Sequence, residues 1–222
     1  MTAIAYIDGF ALYFGCFKGE RNLGNAALKW LNLKALAEAI LPDEDFALVR
    51  YYTARVRDLP MDPQRASRQD VYLRALRGLS GIEIHEGIFH RNKREAQLAR
   101  CPDGIDPQQT VWIMQEKGSD ASLVTHLLMD TFDGRFDVAL IMTNDSDFVE
   151  PIRIVTERFG RRVVVISPDT VVARKLARVA SHARPLDQRL IASCQLPDEI
   201  VGGDGYTVRR PLAWTAIPPP DS

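Results

Sequence analysis

Val138-Ala139-Leu140-Ile141-Met142-Thr143-Asn144-Asp145-Ser146-Asp147 is an unbroken apolar run that closes on two acids. Aliphatic and β-branched residues without polar alternation mark a strand buried on both faces, and the Asn/Asp/Ser close marks the loop beyond it. Open α/β sheets take their ligands outside the carboxyl ends of the strands. Asp145 and Asp147 thus stand where metal ligands or general bases are found. Near the start of the chain the same grammar recurs, with the apolar run Ala3 to Ile7 followed by Asp8-Gly9.

Between these two strands and after them, strand and helix alternate. Helical spacing of apolar residues from Leu28 to Leu41 stops at Pro42, and a strand follows from Phe46 to Val56. Asp62-Pro63 opens a helix that runs to Ser80-Gly81, and Ile82 to Phe89 is the next strand. The spacing predicts further helices through Leu123 to Phe132, Glu150 to Phe159 and Thr170 to Ala180, with a strand from Val163 to Ser167. Such alternation predicts an α/β fold with a central, mainly parallel sheet and helices on both faces. Two stretches fall outside the pattern. From His90 to Gln109 periodicity is lost while Arg91, Lys93, Arg94 and Arg100 accumulate, which predicts an exposed basic loop or short helix before a brief strand at Val111 to Met114. After Arg184 the pattern loosens, so residues 1–193 are expected to form the domain and 194–222, ending near Pro218-Pro219-Pro220, an appended segment that drapes or frays.

The composition narrows the function classes. With 222 residues and 46% hydrophobic content the chain can bury one substantial core. Its 28 basic and 29 acidic residues give a net charge of −1, so a polyanion would have to bind a local patch and not a generally basic surface. Three scattered cysteines without a CxxC spacing point to a reducing compartment. The start of the chain has no basic leader, and no apolar run reaches the roughly 18 residues of a membrane span, so a cytoplasmic location is expected.

A third acidic position follows Glu116-Lys117-Gly118-Ser119, where Asp120 opens the helix that contains Leu123. If the strands are neighbours, Asp8, Asp120, Asp145 and Asp147 converge on one crevice. Close carboxylates repel by roughly 4 kcal/mol per pair at an effective dielectric of 20, so such a group stays ionised beside a cation. All-oxygen donors select Mg²⁺ or Mn²⁺ over Zn²⁺, and a carboxylate-held divalent site is suited to phosphodiester hydrolysis. A purely structural reading competes with this one. Ser119 or Asp120 can cap the helix that follows, and Pro151 makes Asp147 a natural N-cap, whereas Asp8 before Gly9 has no comparable explanation. Lys117, Arg55, Arg91 and Lys93 are the basic residues expected to meet phosphates, with Ser146 and residue 11 beside the acids. Phe10, Tyr13 and Phe14 either stack on bases or pack on the sheet, and the four histidines lack ligand spacing.

Tyr6-Ile7-Asp8-Gly9-Phe10-Ala11-Leu12-Tyr13, Glu116 to Asp120 and Thr143 to Phe148 resemble, in order and spacing, the signature blocks of the NYN domain, specifically its LabA-like (DUF88) branch within the PIN-like nuclease superfamily. The resemblance implies a PIN-like three-layer α/β/α sandwich, a Mg²⁺ or Mn²⁺ site at Asp8, Asp120, Asp145 and Asp147, and cleavage of single-stranded or structured RNA. It allows a homodimer. Ala11 departs from the family pattern, which normally has Asn there, and a methyl group can bind neither a metal-held water nor a phosphate. That departure supports an alternative, a catalytically impaired module that binds RNA or a protein partner without cutting. A further rival, an Asp-x-Asp phosphatase with Asp145 as nucleophile and Asp147 as acid/base, leaves Asp8 and Asp120 idle.

Overall fold

The computed structural model describes residues 1–18, 26–102, 104–201 and 206–215. The chain runs β1 (Thr2–Asp8), α1 (Gly9–Tyr13), α2 (Leu33–Ile40), β2 (Asp45–Ala54), α3 (Arg65–Arg77), β3 (Ile82–Gln97) and β4 (Gln108–Lys117). It continues with α4 (Ser119–Phe132), β5 (Val138–Met142), α5 (Val149–Arg153), β6 (Arg162–Ser167), α6 (Arg174–Val179), β7 (His182–Pro185), α7 (Gln188–Ser193), β8 (Glu199–Val201) and β9 (Thr207–Arg209). Strands β1 to β7 form a seven-stranded sheet in the order β4-β3-β2-β1-β5-β6-β7, with β1 in the middle. Every pairing in it is parallel except β3 with β4.

The period of two along β1 explains the three layers. Ala3, Ala5 and Ile7 face one core, shared with α2, α3 and α7, while Ile4 and Tyr6 face a second core shared with α4, α5 and α6. Val138, Leu140 and Met142 of β5 join the first core, and Ala139 and Ile141 the second. All five β5 residues are fully buried, as an apolar run without alternation requires. The α/β/α sandwich with a mainly parallel sheet is therefore the observed fold.

The structure departs from the sequence reading in three places. The stretch from His90 to Gln109 is loop only over the described residues of 98–107: β3 pairs with β2 as far as Gly87, then runs on past it to Gln97 and pairs antiparallel with the whole of β4. This hairpin arm is wet on both faces, so its strands carry no apolar alternation to read. The helix expected from Leu28 divides into a short turn, Ala26–Lys29, and α2, which starts only where Asn32 accepts the amides of Lys34 and Ala35 at 3.1 Å. Likewise α3 starts at Arg65, because Asp62 is held in a turn with Leu59 and pairs with Arg68. β7 closes the sheet by pairing with β6, and beyond it Cys194, Leu196 and Val208 are buried in the first core. Trp30 donates from Nε1 to the Pro197 carbonyl at 2.9 Å and packs against Trp214 at 6.3 Å. The segment carrying Gly19, Arg21 and Gly24 and the Pro218-Pro219-Pro220 tail lie outside the described residues.

One buried charge pair ties the sheet to α4. Asp130 accepts from Tyr6 Oη at 2.8 Å, from Arg50 Nε and Nη2 at 3.0 and 3.2 Å, and from Arg135 Nη1 at 2.9 Å. Burial and the Asp130 charge push the Tyr6 phenol far above its ordinary range. Removing Arg50 leaves the buried Asp130 with only the half-exposed Arg135 as counter-charge, so Arg50→Met is expected to cost about 3 kcal/mol in urea unfolding. Replacing the group together, as Arg50→Met with Asp130→Leu and Tyr6→Phe, is expected to recover most of that loss.

Candidate acidic active site

Asp8 ends the central strand and is 7% exposed. Its Oδ1 accepts the amides of Phe10 and Ala11 at 3.0 Å each, so it is the N-cap of α1. The sequence reading assigned Asp8 no capping role, because the five-residue helix α1 is too short to announce itself by periodicity. Its Oδ2 accepts the Thr143 hydroxyl at 3.2 Å, and the same Thr143 oxygen accepts the Asp145 amide at 3.2 Å. One buried hydroxyl thus couples the ends of β1 and β5. Burial pushes the Asp8 carboxyl up; the Ala11 amide, Thr143 and the Phe10 amide hold it down, and Asp145 adds to the rise.

On β5's side, Asp145 caps the turn Ser146–Phe148 by accepting the Asp147 amide at 2.9 Å. The expected cap, Asp147, therefore does not fill that role here. Asp120 stands in the first turn of α4, and its side chain makes no cap there; the N-cap position is Gly118, at φ 105°. The left-handed conformation at Gly118 turns β4 sharply into α4. Next to it, Glu116 accepts the Ser119 amide at 3.1 Å and the Ser119 hydroxyl at 2.6 Å. Gly87 makes room for this, since a Cβ there would lie 2.0 Å from Glu116 Oε1.

Asp8, Glu116, Asp120, Asp145 and Asp169 line one cleft of about 770 Å³ at the carboxyl edge of the sheet, together with Ala11. Glu116 and Asp169 were missed as site residues, although Glu116 belongs to the quoted block and Asp169 follows the end of β6 as Asp145 follows β5. Asp169 Oδ2 accepts Asn144 Nδ2 at 2.7 Å. Asp147 does not line the cleft, but its charge reaches Asp120. Burial, then Asp8, Glu116, Asp145 and Asp147, pushes the Asp120 carboxyl up to about 6. Among the described residues no three acids, histidines or cysteines stand as a preformed metal cage. By chemistry the donor set nonetheless fits a hard divalent cation: it is all oxygen, and the repulsion felt by Asp120 is what such a cation relieves.

The basic residues divide. Arg55 is held in ion pairs with Asp70 and Glu86, away from the cleft lining. Lys117 is exposed at the foot of the arm, and Ser146 is exposed beside Asp145. The cations that line the cleft are Arg57 and Arg65, which follow β2 and open α3. In the arm, Phe89, Arg91 and Lys93 share a face with Met114 and Trp112, and Phe89 and Met114 line the cleft. Arg91 Cζ lies 3.9 Å and Lys93 Nζ 5.2 Å from the Trp112 ring centre. Phe10 packs edge-on against Phe89 at 5.6 Å. His85 stacks on Tyr52 at 5.0 Å and meets His126 at 4.2 Å with the rings tilted by 44°, away from the cleft lining.

The α/β/α sandwich thus gathers its carboxylates at the carboxyl edge of its central strands. The NYN domain profile matches residues 6–187, and the chain belongs to the NYN domain family. It is 28% identical over 243 residues to the 6-hydroxy-3-succinoylpyridine 3-monooxygenase HspA of Pseudomonas putida (strain DSM 28022 / S16), covering 96% of this chain and 75% of that one. A segment of 125 residues is 31% identical to the ATP-dependent zinc metalloprotease FtsH of Thermobaculum terrenum (strain ATCC BAA-798 / CCMEE 7001 / YNP1), covering 51% of this chain and 18% of that one. Among solved structures, the fold resembles the protein of unknown function VPA0982 from Vibrio parahaemolyticus RIMD 2210633, with a TM-score of 0.51 and 15% identity over 84% of this chain and 93% of that one.

The raised Asp120 carboxyl has a defined pH signature. The folded state holds this proton more tightly than the unfolded chain, so its effect is to lower stability as pH rises from 3.8 to about 6. Asp120→Asn is expected to flatten the melting temperature across that window and raise it above pH 7. The change should be modest, because Asp120 is open to solvent. Thermal melts of both proteins at closely spaced pH values would measure it, and identical profiles would remove the coupling.

Proposed function

We propose that this chain is a metal-dependent endoribonuclease of the LabA-like (DUF88) branch, acting in the cytoplasm on single-stranded or structured RNA. The observation that carries the reading is the convergence of Asp8, Asp120 and Asp145 on one cleft from three separate segments. Asp8, Asp120 and Asp145, with Asp147 behind them, would hold Mg²⁺ or Mn²⁺. When bound, the cation supplies an acidified water and charge neutralisation at the leaving oxygen. The residues around it do the rest. Asp8 is fixed by its amide and hydroxyl donors and Asp145 by the Asp147 amide, while Asp120 faces solvent and can turn toward a substrate. Arg57 and Arg65 offset the repulsion between phosphate and acids, and the product is expected to carry a 5′-phosphate.

Along the arm, the exposed Trp112 ring, with Arg91 over it and Lys93 across from it, is a suitable track for an unpaired strand. The domain is expected to end near residue 193, with 194–222 as an appended segment.

Ala11 favours a second reading, a module that binds RNA or a protein partner without cutting. Its methyl group lines the cleft where the family pattern has an amide. The name of the Pseudomonas relative describes ring hydroxylation by that protein. Among the described residues that line the cleft there are carboxylates but no histidine, the ligand that iron and copper oxygen sites combine with them, so the cleft supports a hard divalent cation and hydrolysis better.

Labelled RNA with Mg²⁺ or Mn²⁺ tests the proposal on three proteins. This chain is expected to cut slowly, Ala11→Asn on the order of 10² to 10³-fold faster, and Asp145→Ala not at all. No cleavage by any of the three would sink the nuclease reading in favour of a binding module.

The arm is testable separately by filter binding of single-stranded RNA at several salt concentrations. Trp112→Ala is expected to weaken binding about 5 to 100-fold with an unchanged salt slope. Arg91→Ala should instead lower the slope by about one ion. Unchanged affinity in both variants would show that RNA does not follow the arm.

A further inference from the structure

Beside the acidic cleft lies a second, smaller cavity of about 120 Å³. The two share Phe10, Phe14, Val56 and Arg65, so a ligand in one is within reach of the other. Its walls are aromatic: Tyr13, Phe17, Tyr51, Tyr72 and Trp214 among them. That size compares with the roughly 150 Å³ cavity that takes up benzene, and is well below that of a drug-sized site. It suits one flat aromatic group.

The charges at this cavity are unbalanced. Lys29, Arg65 and Arg68 face a single carboxylate, Asp62, which is already paired with Arg68. Among the described residues, Lys29 and Arg65 have no carboxylate within ion-pair distance. Lys29 is half-buried with Nζ 5.4 Å from the Tyr13 ring centre, and burial, then Arg68, lowers its pKa. Half-burying a cation without a counter-ion is unfavourable, and an anion arriving with the ligand would offset it. Gln69 offers no free edge, because it donates to the Ala54 carbonyl at 2.9 Å and accepts the Val56 amide at 2.8 Å. Selection would come from stacking and charge.

We propose that this cavity binds the base of a nucleotide whose phosphate lies against Arg65 and Lys29, next to the acidic cleft. Its binding role stands on the cavity alone. Its place beside the scissile bond rests on the nuclease reading, and it would give that enzyme a cut-site preference set by stacking strength.

Calorimetry in EDTA on the Asp145→Ala chain separates binding from cleavage. The probes are the four 5′-nucleoside monophosphates, ribose 5-phosphate and pyridine-3-carboxylate. Nucleotides are expected to bind, ribose 5-phosphate at least about ten-fold more weakly, and Arg65→Gln or Lys29→Gln to lose about ten-fold each. Equal binding of nucleotide and ribose 5-phosphate would overturn the base pocket. Tighter binding of the pyridine acid than of every nucleotide would overturn it too, and assign the cavity to small aromatic acids. Cleavage by the Ala11→Asn chain with no nucleotide binding removes this inference and leaves the nuclease. Nucleotide binding by a chain that cuts nothing removes the nuclease and leaves the pocket.

Discussion

A carboxylate that is 7% exposed at the end of the central strand must be satisfied before the sheet edge can close around it, and much of this structure follows from how that is done for Asp8. Its donors come from two directions. The Phe10 and Ala11 amides are the free N–H groups of the helix that Asp8 itself starts, and the Thr143 hydroxyl belongs to the neighbouring strand end. The acid therefore fixes the direction in which the chain leaves β1 and its alignment with β5. Because the Thr143 oxygen also takes the Asp145 amide, the second acid is placed by the same constraint.

The sheet carries a second buried charge, managed in the opposite way. Asp130 is neutralised by Arg50 within the fold and has little chemistry left to offer. Asp8 is solvated by neutral donors, so its charge stays available to whatever enters the cleft. The contrast separates a structural ion pair from a candidate site more sharply than burial does, since Asp130 at 2% exposure and Asp8 at 7% are nearly alike in that respect.

The central strands were legible because each is an apolar run with no alternation, and the acids at their ends were legible because they interrupt such runs. The three quoted blocks foretold the meeting of Asp8, Asp120 and Asp145, and the cleft brings them together. What periodicity could not reveal was structure whose faces are wet or whose helices are too short. The arm from Ile88 to Lys117 is held by its backbone ladder and by cross-strand pairs such as Lys93 with Trp112, neither of which leaves an apolar pattern. Glu116 looked like one more polar residue before a helix. Its approach to Ser119 depends on the missing side chain of Gly87, 29 positions earlier and across the β3/β4 pairing. Trp214 gave no sign of packing on Trp30 and Tyr72, since that contact joins residues far apart in the chain.

Residue 11 shows how placement and chemistry come apart at this site. What Asp8 needs from position 11 is the backbone amide, which any residue other than proline supplies. Alanine is also the best helix former, so α1 loses nothing by having it. Burial, capping and the Thr143 bridge are thus insensitive to the change, and the acids are held as they would be with an amide present. Only reach into the cleft is lost, a matter of a few ångströms at a position that already lines it. The fold can hold its acids in place whatever side chain position 11 carries, and for that reason the family's architecture and the chemistry available at that position vary independently.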